Sequence, residues 1–343
     1  MRDRGVPGES RGIWTRRPEL LRPTALVRVV LIGICLVVAI DLAVIETAWA
    51  SPTASQRQQS AKVVPARAEN LPYFGPNASV EQAVLAATIA DPRSGVSSTA
   101  KCTTGWFTIG WSVQGRPIVA CRLGSGTSRM TARMAVTGAI HGGWERNTKV
   151  LVEMFLNYFV ANPGAIPYGL VVYFVPVMNP DGVALGTSSS AAWNARGVDL
   201  NRNYDSGNWS RNTYGTPGGR YGPTGVRIGG GGTAPFSEPE SKAIRDFVQG
   251  RGIRTLVSYH SGYLSVSAKD GGGGIAEPLA KLIARITGYP YIAKWTAYKL
   301  TGQLVDWANR VGVKGVDVDL PSRYVYDYTK NLAALRAVMT TLR

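Results

Sequence analysis

The stretch GLVVYFVPVMNP, residues 169–180, limits the possible folds more than any other feature of this 343-residue chain. Its apolar residues run on without the alternation of a half-exposed strand, as in strands that are buried on both faces. Further strand patterns, such as RTLVSYH (254–260) and KGVDVDLP (314–321), alternate with helical patterns such as TKVLVEMFLNYFVAN (148–162). This alternation predicts an α/β fold: a mixed, mostly parallel twisted sheet with helices on both faces.

The first fifty residues are typical of an export signal. An arginine-rich start leads into the apolar run VVLIGICLVVAI (29–40), and Ala48-Trp49-Ala50 forms an A-x-A cleavage pattern. We therefore predict a signal peptide over 1–50, cleavage near Ala50 and secretion to the periplasm or the extracellular space. The alternative is an uncleaved membrane anchor, which Asp41 disfavours because a charge inside a membrane is costly.

The rest of the chain divides into two parts. Residues 51–100 begin with a polar stretch and are predicted to be a linker or N-terminal extension, and 101–343 form the folded domain. Cys102 and Cys121 flank WFTIGWSVQGRPIVA, which predicts a hairpin that could bring the two sulfurs together. In an oxidising compartment we expect a disulfide, with two buried thiols as the alternative.

The charge of the chain is strongly positive, with 38 basic and 22 acidic residues and a net charge of +16. Such a charge favours anionic partners, and for an exported protein a cell-wall polymer comes before nucleic acid. The sequence contains no recognisable nucleic-acid motif, so we expect no such partner. Solubility alone is the alternative explanation. We expect a monomer.

The chain contains only two histidines, and each follows or ends a strand pattern. His141 comes directly after RMAVTGAI (133–140), with Glu145 four residues later, and His260 ends RTLVSYH. Because ligands bind at the carboxyl ends of strands in open α/β sheets, both histidines could meet at one edge. Two histidines and a carboxylate are a ligand set for catalytic zinc. The alternative is a pair of structural histidines.

Eight segments in order carry a resemblance to a known family, over roughly residues 105–340. The segments are IGWSVQGRPI (109–118), GAIHGGWE (138–145), NPDG (179–182), GVDLNRN (197–203), APFSEPE (234–240), SYHS (258–261), YKLTGQLVDWA (298–308) and VDVDLP (316–321). Together they resemble the carboxypeptidase A-like zinc carboxypeptidases, and no single segment would suffice.

The resemblance implies a metal centre with one Zn²⁺ per chain. His141, Glu145 and His260 match the zinc ligands of the family. Asp199 matches the carboxylate that orients the first histidine and so sets its tautomer.

The resemblance also implies a substrate site. Asn201 and Arg202 match the pair that binds the terminal carboxylate of a peptide, a task that suits a planar guanidinium. Tyr298 matches a mobile tyrosine that closes over the substrate, and Val305 the base of the specificity pocket, which favours apolar side chains. Asp319 matches the general base. The alternatives are a surface ion pair for Arg202 and a packed aromatic residue for Tyr298.

Three positions depart from the family pattern. Glu145 follows His141 at a spacing of four rather than three. Asp319 replaces a longer glutamate, and Asp317, on the same strand face, is a less favoured alternative base. Ala192 stands where relatives carry an arginine that stabilises negative charge on the substrate, and Arg196 or Arg211 could reach in instead.

The sequence therefore predicts a secreted zinc metallocarboxypeptidase that removes C-terminal residues from peptides. A peptidoglycan stem-peptide peptidase of the same family is the first alternative. A zinc-binding relative with weak or lost activity, acting as a binding module, is the second.

Overall fold

The computed structural model describes residues 100–126 and 131–342. The predicted signal peptide (1–50) lies outside the described residues, and so does the predicted linker up to residue 99. No helix in the described ranges is both long and apolar enough to span a membrane.

A seven-stranded sheet lies at the centre of the domain, in the order β1-β2-β4-β3-β7-β9-β8. Two further strands pair in a short ribbon. The strands are β1 (Trp106–Trp111), β2 (Pro117–Gly124), β3 (Ala132–Thr137), β4 (Leu170–Val175), β5 (Thr213–Tyr214), β6 (Val226–Arg227), β7 (Thr255–Ser261), β8 (Ser265–Ser267) and β9 (Lys314–Leu320).

The central strands β4, β3, β7 and β9 run parallel, and β1, β2 and β8 are antiparallel to their neighbours. The continuous apolar run predicted to be a buried strand is β4, in which every residue is buried. The predicted mixed sheet is confirmed.

Helices cover both faces of this sheet, as the alternation of patterns predicts. Along β4, Val172 and Phe174 pack into one core with α1, α4 and α6, whereas Val171 and Tyr173 pack into a second core with α3 and α5. The helices are α1 (Arg146–Ala161), α2 (Pro180–Ala184), α3 (Pro239–Gly250), α4 (Glu277–Thr287), α5 (Leu304–Arg310) and α6 (Tyr328–Thr340).

The hairpin of β1 and β2 carries the predicted disulfide, which joins Cys102 to Cys121. Trp106 pairs with Cys121 in the hairpin register, so the bond ties the segment before β1 to the inner strand. Glu238 is the N-cap residue of α3, and the Ser237 hydroxyl donates to its carboxylate.

Candidate metal centre and active site

His141, Glu145 and His260 meet at the carboxyl ends of β3 and β7. Nδ1 of His141 lies 2.8 Å from Oε1 of Glu145, and Nδ1 of His260 lies 3.4 Å from Oε2. One ligand atom from each residue lies within 4.8 Å of the others, and all three side chains are buried. The structure thus groups the three predicted ligands.

The unusual spacing of four between His141 and Glu145 is accommodated by a short 3₁₀ turn, Gly142–Glu145. Gly142 has a positive φ of 49°, a conformation that glycine adopts without strain. A Cβ on Gly143 would lie 1.7 Å from the carbonyl oxygen of Gly186, so only glycine fits there. The two glycines let the chain turn tightly enough to return Glu145 to His141.

A buried carboxylate supports each histidine from behind. Oδ1 of Asp199 lies 3.2 Å from Nε2 of His141, as predicted, and Oδ1 of Asp317 lies 3.1 Å from Nε2 of His260. Such contacts fix the imidazole tautomer and leave Nδ1 to bind a metal. The sequence presented Asp317 only as an alternative base, since its contact with His260 depends on the pairing of β7 with β9.

The residues present fit a divalent metal. Oε2 of Glu145 is buried and makes no hydrogen bond, although it lies close to His260. An unpaired buried carboxylate oxygen is costly, and a cation between it and the two Nδ1 atoms removes that cost. Two imidazoles and one carboxylate are a common ligand set for catalytic zinc.

A cavity of about 210 Å³ opens over these three residues. Its lining includes Asn201, Arg202, Tyr298 and Asp319, so four further predicted residues share one space with the candidate ligands. Asp199 lies behind His141 instead. The sequence could place these residues only by resemblance, because they come from distant segments.

Asp319 is placed by the pairing of β7 and β9, in which it stands opposite His260. Its Oδ1 accepts a hydrogen bond of 3.0 Å from the backbone N–H of Tyr263. Burial, followed by the nearby negative charge of Glu145, raises the pKa of Asp319 to about 7. A carboxyl group with such a pKa can accept and return a proton near neutral pH.

Arg202 is a buried cation that the protein leaves partly unpaired. Its Nη1 donates to the carbonyl oxygen of Asn201, and its Nε is buried without a hydrogen-bond partner. Oδ1 of Asn201 accepts from the backbone N–H of Leu304, which holds this short turn against the start of α5. The guanidinium is thus fixed in place while part of its donor capacity remains unused.

Tyr298 lies in a loop and contacts other aromatic rings. Its ring centroid is 5.2 Å from that of Trp295, which in turn lies 5.0 Å from Tyr263. Burial raises the pKa of Tyr298, so its hydroxyl stays protonated as a donor.

Val305 is not among the residues that line this cavity. It is 1% exposed within α5, where its backbone packs over Gly315 of β9. The lining of the cavity includes the polar side chains of Ser265, Ser267 and Gln303. The described cavity gives no support to an apolar preference set by Val305.

Arg220 is a cavity residue that sequence reasoning missed. It lies in the glycine-rich loop between Tyr204 and Phe236, and its side chain is only 13% exposed. Neither substitute suggested for the missing arginine lines the cavity: Arg196 lies 3.6 Å from Glu238, and Arg211 is exposed. No sequence pattern distinguishes Arg220 from the other arginines of this loop.

These features define a mixed α/β sheet with a two-histidine, one-glutamate centre at the carboxyl ends of its strands. The family model for zinc carboxypeptidases matches residues 97–269, half of the chain. The chain belongs to the zinc carboxypeptidase family, a class of zinc-dependent metallopeptidases. The resemblance predicted from the sequence is confirmed.

Individual relatives are distant. Carboxypeptidase A1 of Sus scrofa is 28% identical over 236 residues, 60% of this chain and 54% of the relative. Carboxypeptidase A2 of Mus musculus is 28% identical over 170 residues, 42% and 39% respectively. Bacteriocin BCN5 of Clostridium perfringens is 28% identical over 229 residues, 62% of this chain and 22% of the relative. The chain spans at most about half the length of these curated relatives.

Two solved structures share the fold. Thrombin activatable fibrinolysis inhibitor superimposes with a TM-score of 0.58 at 19% identity, and the match covers 69% of each chain. Murein-tripeptide amidase MpaA from Escherichia coli O157 superimposes with a TM-score of 0.51 at 21% identity, over 68% of this chain and 92% of the other. At this identity both show a common architecture.

Proposed function

We propose that the protein is an exported zinc carboxypeptidase, which hydrolyses the peptide bond next to a free terminal carboxylate. One observation carries the proposal: a single cavity of about 210 Å³ contains the three candidate zinc ligands, the Arg202 guanidinium and the Asp319 carboxylate. A cation for the substrate carboxylate, a metal centre and a base are the parts that this reaction requires.

The substrate's terminal carboxylate would bind to Arg202. A buried guanidinium with an unpaired Nε gains most from an anion that accepts two parallel hydrogen bonds. Tyr298, whose hydroxyl remains protonated, would donate to the same end of the peptide. These contacts would place the last peptide bond over the metal centre.

Proton transfer would fall to Asp319. Bound zinc would polarise the attacking water and the scissile carbonyl. The Asp319 carboxylate would take the proton of that water and pass it to the leaving amine. Asp319 is shorter than a glutamate, but its strand position opposite His260 and its hydrogen bond from Tyr263 hold it at the cavity.

A side pocket of about 30 Å³ supports a second candidate, a peptidoglycan stem-peptide peptidase. It shares Ser265, Ser267 and Gln303 with the main cavity and adds the carboxylate of Asp270. A water needs about 10–15 Å³ of such space, so the side pocket has room for an ammonium group. A diamino acid carries such a group, and one structural neighbour is a murein-tripeptide amidase.

Peptide digestion separates the candidates. Zinc-loaded protein would be incubated with mixed peptides and with purified wall stem peptides, and the products read by mass spectrometry. Loss of single C-terminal residues, abolished in Glu145→Ala and retained in Glu153→Ala, would establish the carboxypeptidase. Glu153 is a suitable control because it forms an ion pair with Lys149 on α1 and does not line the cavity. Stoichiometric zinc without any product would favour a binding module.

The side pocket can be tested by substrate choice. If Asp270 binds an ammonium group, the wild type prefers peptides that end in lysine or a diamino acid over those that end in leucine. Asp270→Asn would then reduce that preference at least tenfold, whereas Asp246→Asn, on the exposed face of α3, would leave it unchanged. An unchanged preference in Asp270→Asn would refute this role.

We also propose export and association with an anionic wall. The predicted signal peptide and the net charge of +16 support both. Fractionation of expressing cells, with N-terminal sequencing of the exported form, tests the predicted cleavage near Ala50. Retention of the uncleaved chain in the membrane would favour the anchor instead.

A further inference from the structure

Arg220 lines the cavity and lies next to His141, one of the candidate metal ligands. Its Nη2 is 3.1 Å from Nε2 of His141 and 3.3 Å from Oδ2 of Asp199. The residue lines the same cavity as the candidate ligands, although its Nη2 contacts the side of His141 that faces Asp199.

The position of Arg220 is held by aromatic rings and hydrogen bonds. Its Cζ lies 5.3 Å from the ring centroid of Trp193 and 5.1 Å from that of Tyr221. Nη2 donates to the Tyr221 hydroxyl, which itself donates to Asp199. A long side chain from a loop would otherwise be mobile, and these contacts fix its guanidinium before any substrate arrives.

The same aromatic cluster includes Ala192, the position at which the family pattern has an arginine. Ala192 is fully buried in a cluster with Trp193 and Tyr221, and Trp144 packs against it. Trp144 belongs to the His141–Glu145 turn, whose length exceeds the usual pattern by one residue. The longer turn, the small residue at 192 and the stacked Arg220 therefore form one packing arrangement.

We propose that Arg220 is the donor that stabilises the negative charge which develops on the scissile carbonyl oxygen, an assignment that rests on the proposed peptidase function. When water adds to a peptide carbonyl, its oxygen becomes an oxyanion, and a pre-positioned donor lowers that barrier most. Among the described residues, the hydrogen bonds that Arg220 donates to Asp199 and to the Tyr221 hydroxyl use only Nη2. Nη1 and Nε remain to donate to the substrate.

The competing explanation is that Arg220 only neutralises Asp199 and so supports His141. The two roles predict different kinetics. A donor to the oxyanion acts on the transition state, so its loss lowers kcat with little change in KM. A support for His141 acts on the metal centre, so its loss lowers zinc content instead.

The test compares zinc-loaded Arg220→Gln, Arg220→Lys and the matched control Arg227→Gln. Arg227 stacks on the same Trp193 ring at 4.7 Å but does not line the cavity. We expect Arg220→Gln to lower kcat by about 100-fold or more, with zinc content and KM nearly unchanged. Arg220→Lys should recover part of the loss, added guanidinium should rescue Arg220→Gln, and Arg227→Gln should stay within a few-fold of the wild type.

A binding measurement gives a readout that does not depend on turnover. A peptide analogue with a tetrahedral phosphinate in place of the scissile amide should bind Arg220→Gln about 100-fold more weakly than the wild type, by calorimetry. The corresponding free amino acid should bind both equally. Equal phosphinate affinity, or a loss of zinc that parallels the loss of activity, would overturn the proposal. A wild type that binds the phosphinate through Arg220 but cuts no peptide would refute the peptidase function alone.

Discussion

Two sides of the cavity differ in the backbone that carries them. The ligand side comprises His141, Glu145, His260 and Asp319, which lie in strands or in the turn that directly follows one. The loop side comprises Arg202, Arg220 and Tyr298, which lie in loops and one short 3₁₀ turn. The metal ligands and the proposed base thus lie in the sheet or in a turn that follows a strand, and the cationic and tyrosine groups lie on irregular backbone.

Because of this difference, substitutions on the two sides should have different effects on zinc content and on kinetics. A change among the metal ligands should release zinc, because among the described residues the cluster offers one ligand atom from each of three side chains. A change on the loop side should leave zinc in place and weaken binding or turnover. Zinc content measured beside kcat and KM therefore tests whether the division holds.

The largest effect is expected from the ligands themselves. His260→Ala should lose bound zinc and reduce peptide hydrolysis by on the order of 10⁴-fold, because it removes one of three metal ligands. Zinc content by mass spectrometry and initial rates check this, with Lys330→Ala on α6 as the control. Full zinc occupancy in His260→Ala would show that the cluster is not the metal centre.

Asp319→Asn should retain zinc and lower kcat by about 10²- to 10⁴-fold, the usual contribution of a general base. This variant sharpens the comparison, because Asp319 lies on the ligand side without being a ligand. If Asp319→Asn binds stoichiometric zinc and turns over normally, another group is the base. Asp317→Asn is then the variant to examine next.

The same residue predicts the acid limb of the pH profile. A carboxyl group is protonated below its pKa, so kcat/KM should fall as the pH drops below that of Asp319, which burial raises to about 7. Bound zinc adds positive charge nearby, so the inflection in the loaded enzyme should lie at or below pH 7. Asp319→Asn should lose this limb; a wild-type limb that persists in the variant would contradict the assignment.

On the loop side, Arg202→Gln should raise KM for peptides with a free C-terminus by about 100-fold, since it removes charge-assisted hydrogen bonds of roughly 1.5–3 kcal/mol each. Zinc content should not change. Peptides with an amidated C-terminus serve as the internal control, because they carry no carboxylate to lose. A variant that loses zinc would break the division between the two sides.

A smaller effect is expected from the carboxylate behind His260. Asp317→Asn should weaken zinc binding by about 10- to 100-fold while the loaded enzyme remains active. Competition with a chelator of known affinity measures this, and Asp306→Asn, which lies on α5, is a suitable comparison. Unchanged zinc affinity would mean that the contact between Asp317 and His260 does not contribute to zinc binding.

The smallest kinetic effect is expected from Val305. Val305→Ala should lower the free energy of unfolding by about 1–3 kcal/mol through a core cavity, yet leave the ranking of C-terminal side chains unchanged. Denaturant unfolding and a panel of dipeptides check both parts. A changed side-chain preference would restore Val305 to the specificity pocket.

Much of the ligand side could be predicted from the sequence. Apolar strand runs and the position of each histidine at the end of one predicted that His141 and His260 could meet at one edge, because the carboxyl ends of parallel strands lie at the same edge of a sheet. The contact of Asp317 with His260 could not be predicted, since it depends on which strands are neighbours and in which register.

On the loop side, only residues that lie within a recognisable motif could be predicted from the sequence. Arg202 lies within the motif GVDLNRN. Arg220 lies in a long glycine-rich loop, and that sequence has no hydrophobic periodicity from which its position could be predicted. The resemblance predicted Val305 at the base of the specificity pocket, whereas in α5 its side chain is buried in the core. Positions inside loops and helix faces depend on packing that spacing alone does not encode.

The pairing of His260 with Asp319 across adjacent strands has a consequence for how this domain could evolve. The distance between a metal ligand and the proposed base is set by backbone hydrogen bonds between β7 and β9, which insertions or substitutions in the surface loops leave untouched. Exchange of most surface loops could therefore change the substrate while this distance is inherited unchanged. The glycine-rich loop is the exception, because its exchange would also remove the proposed donor Arg220.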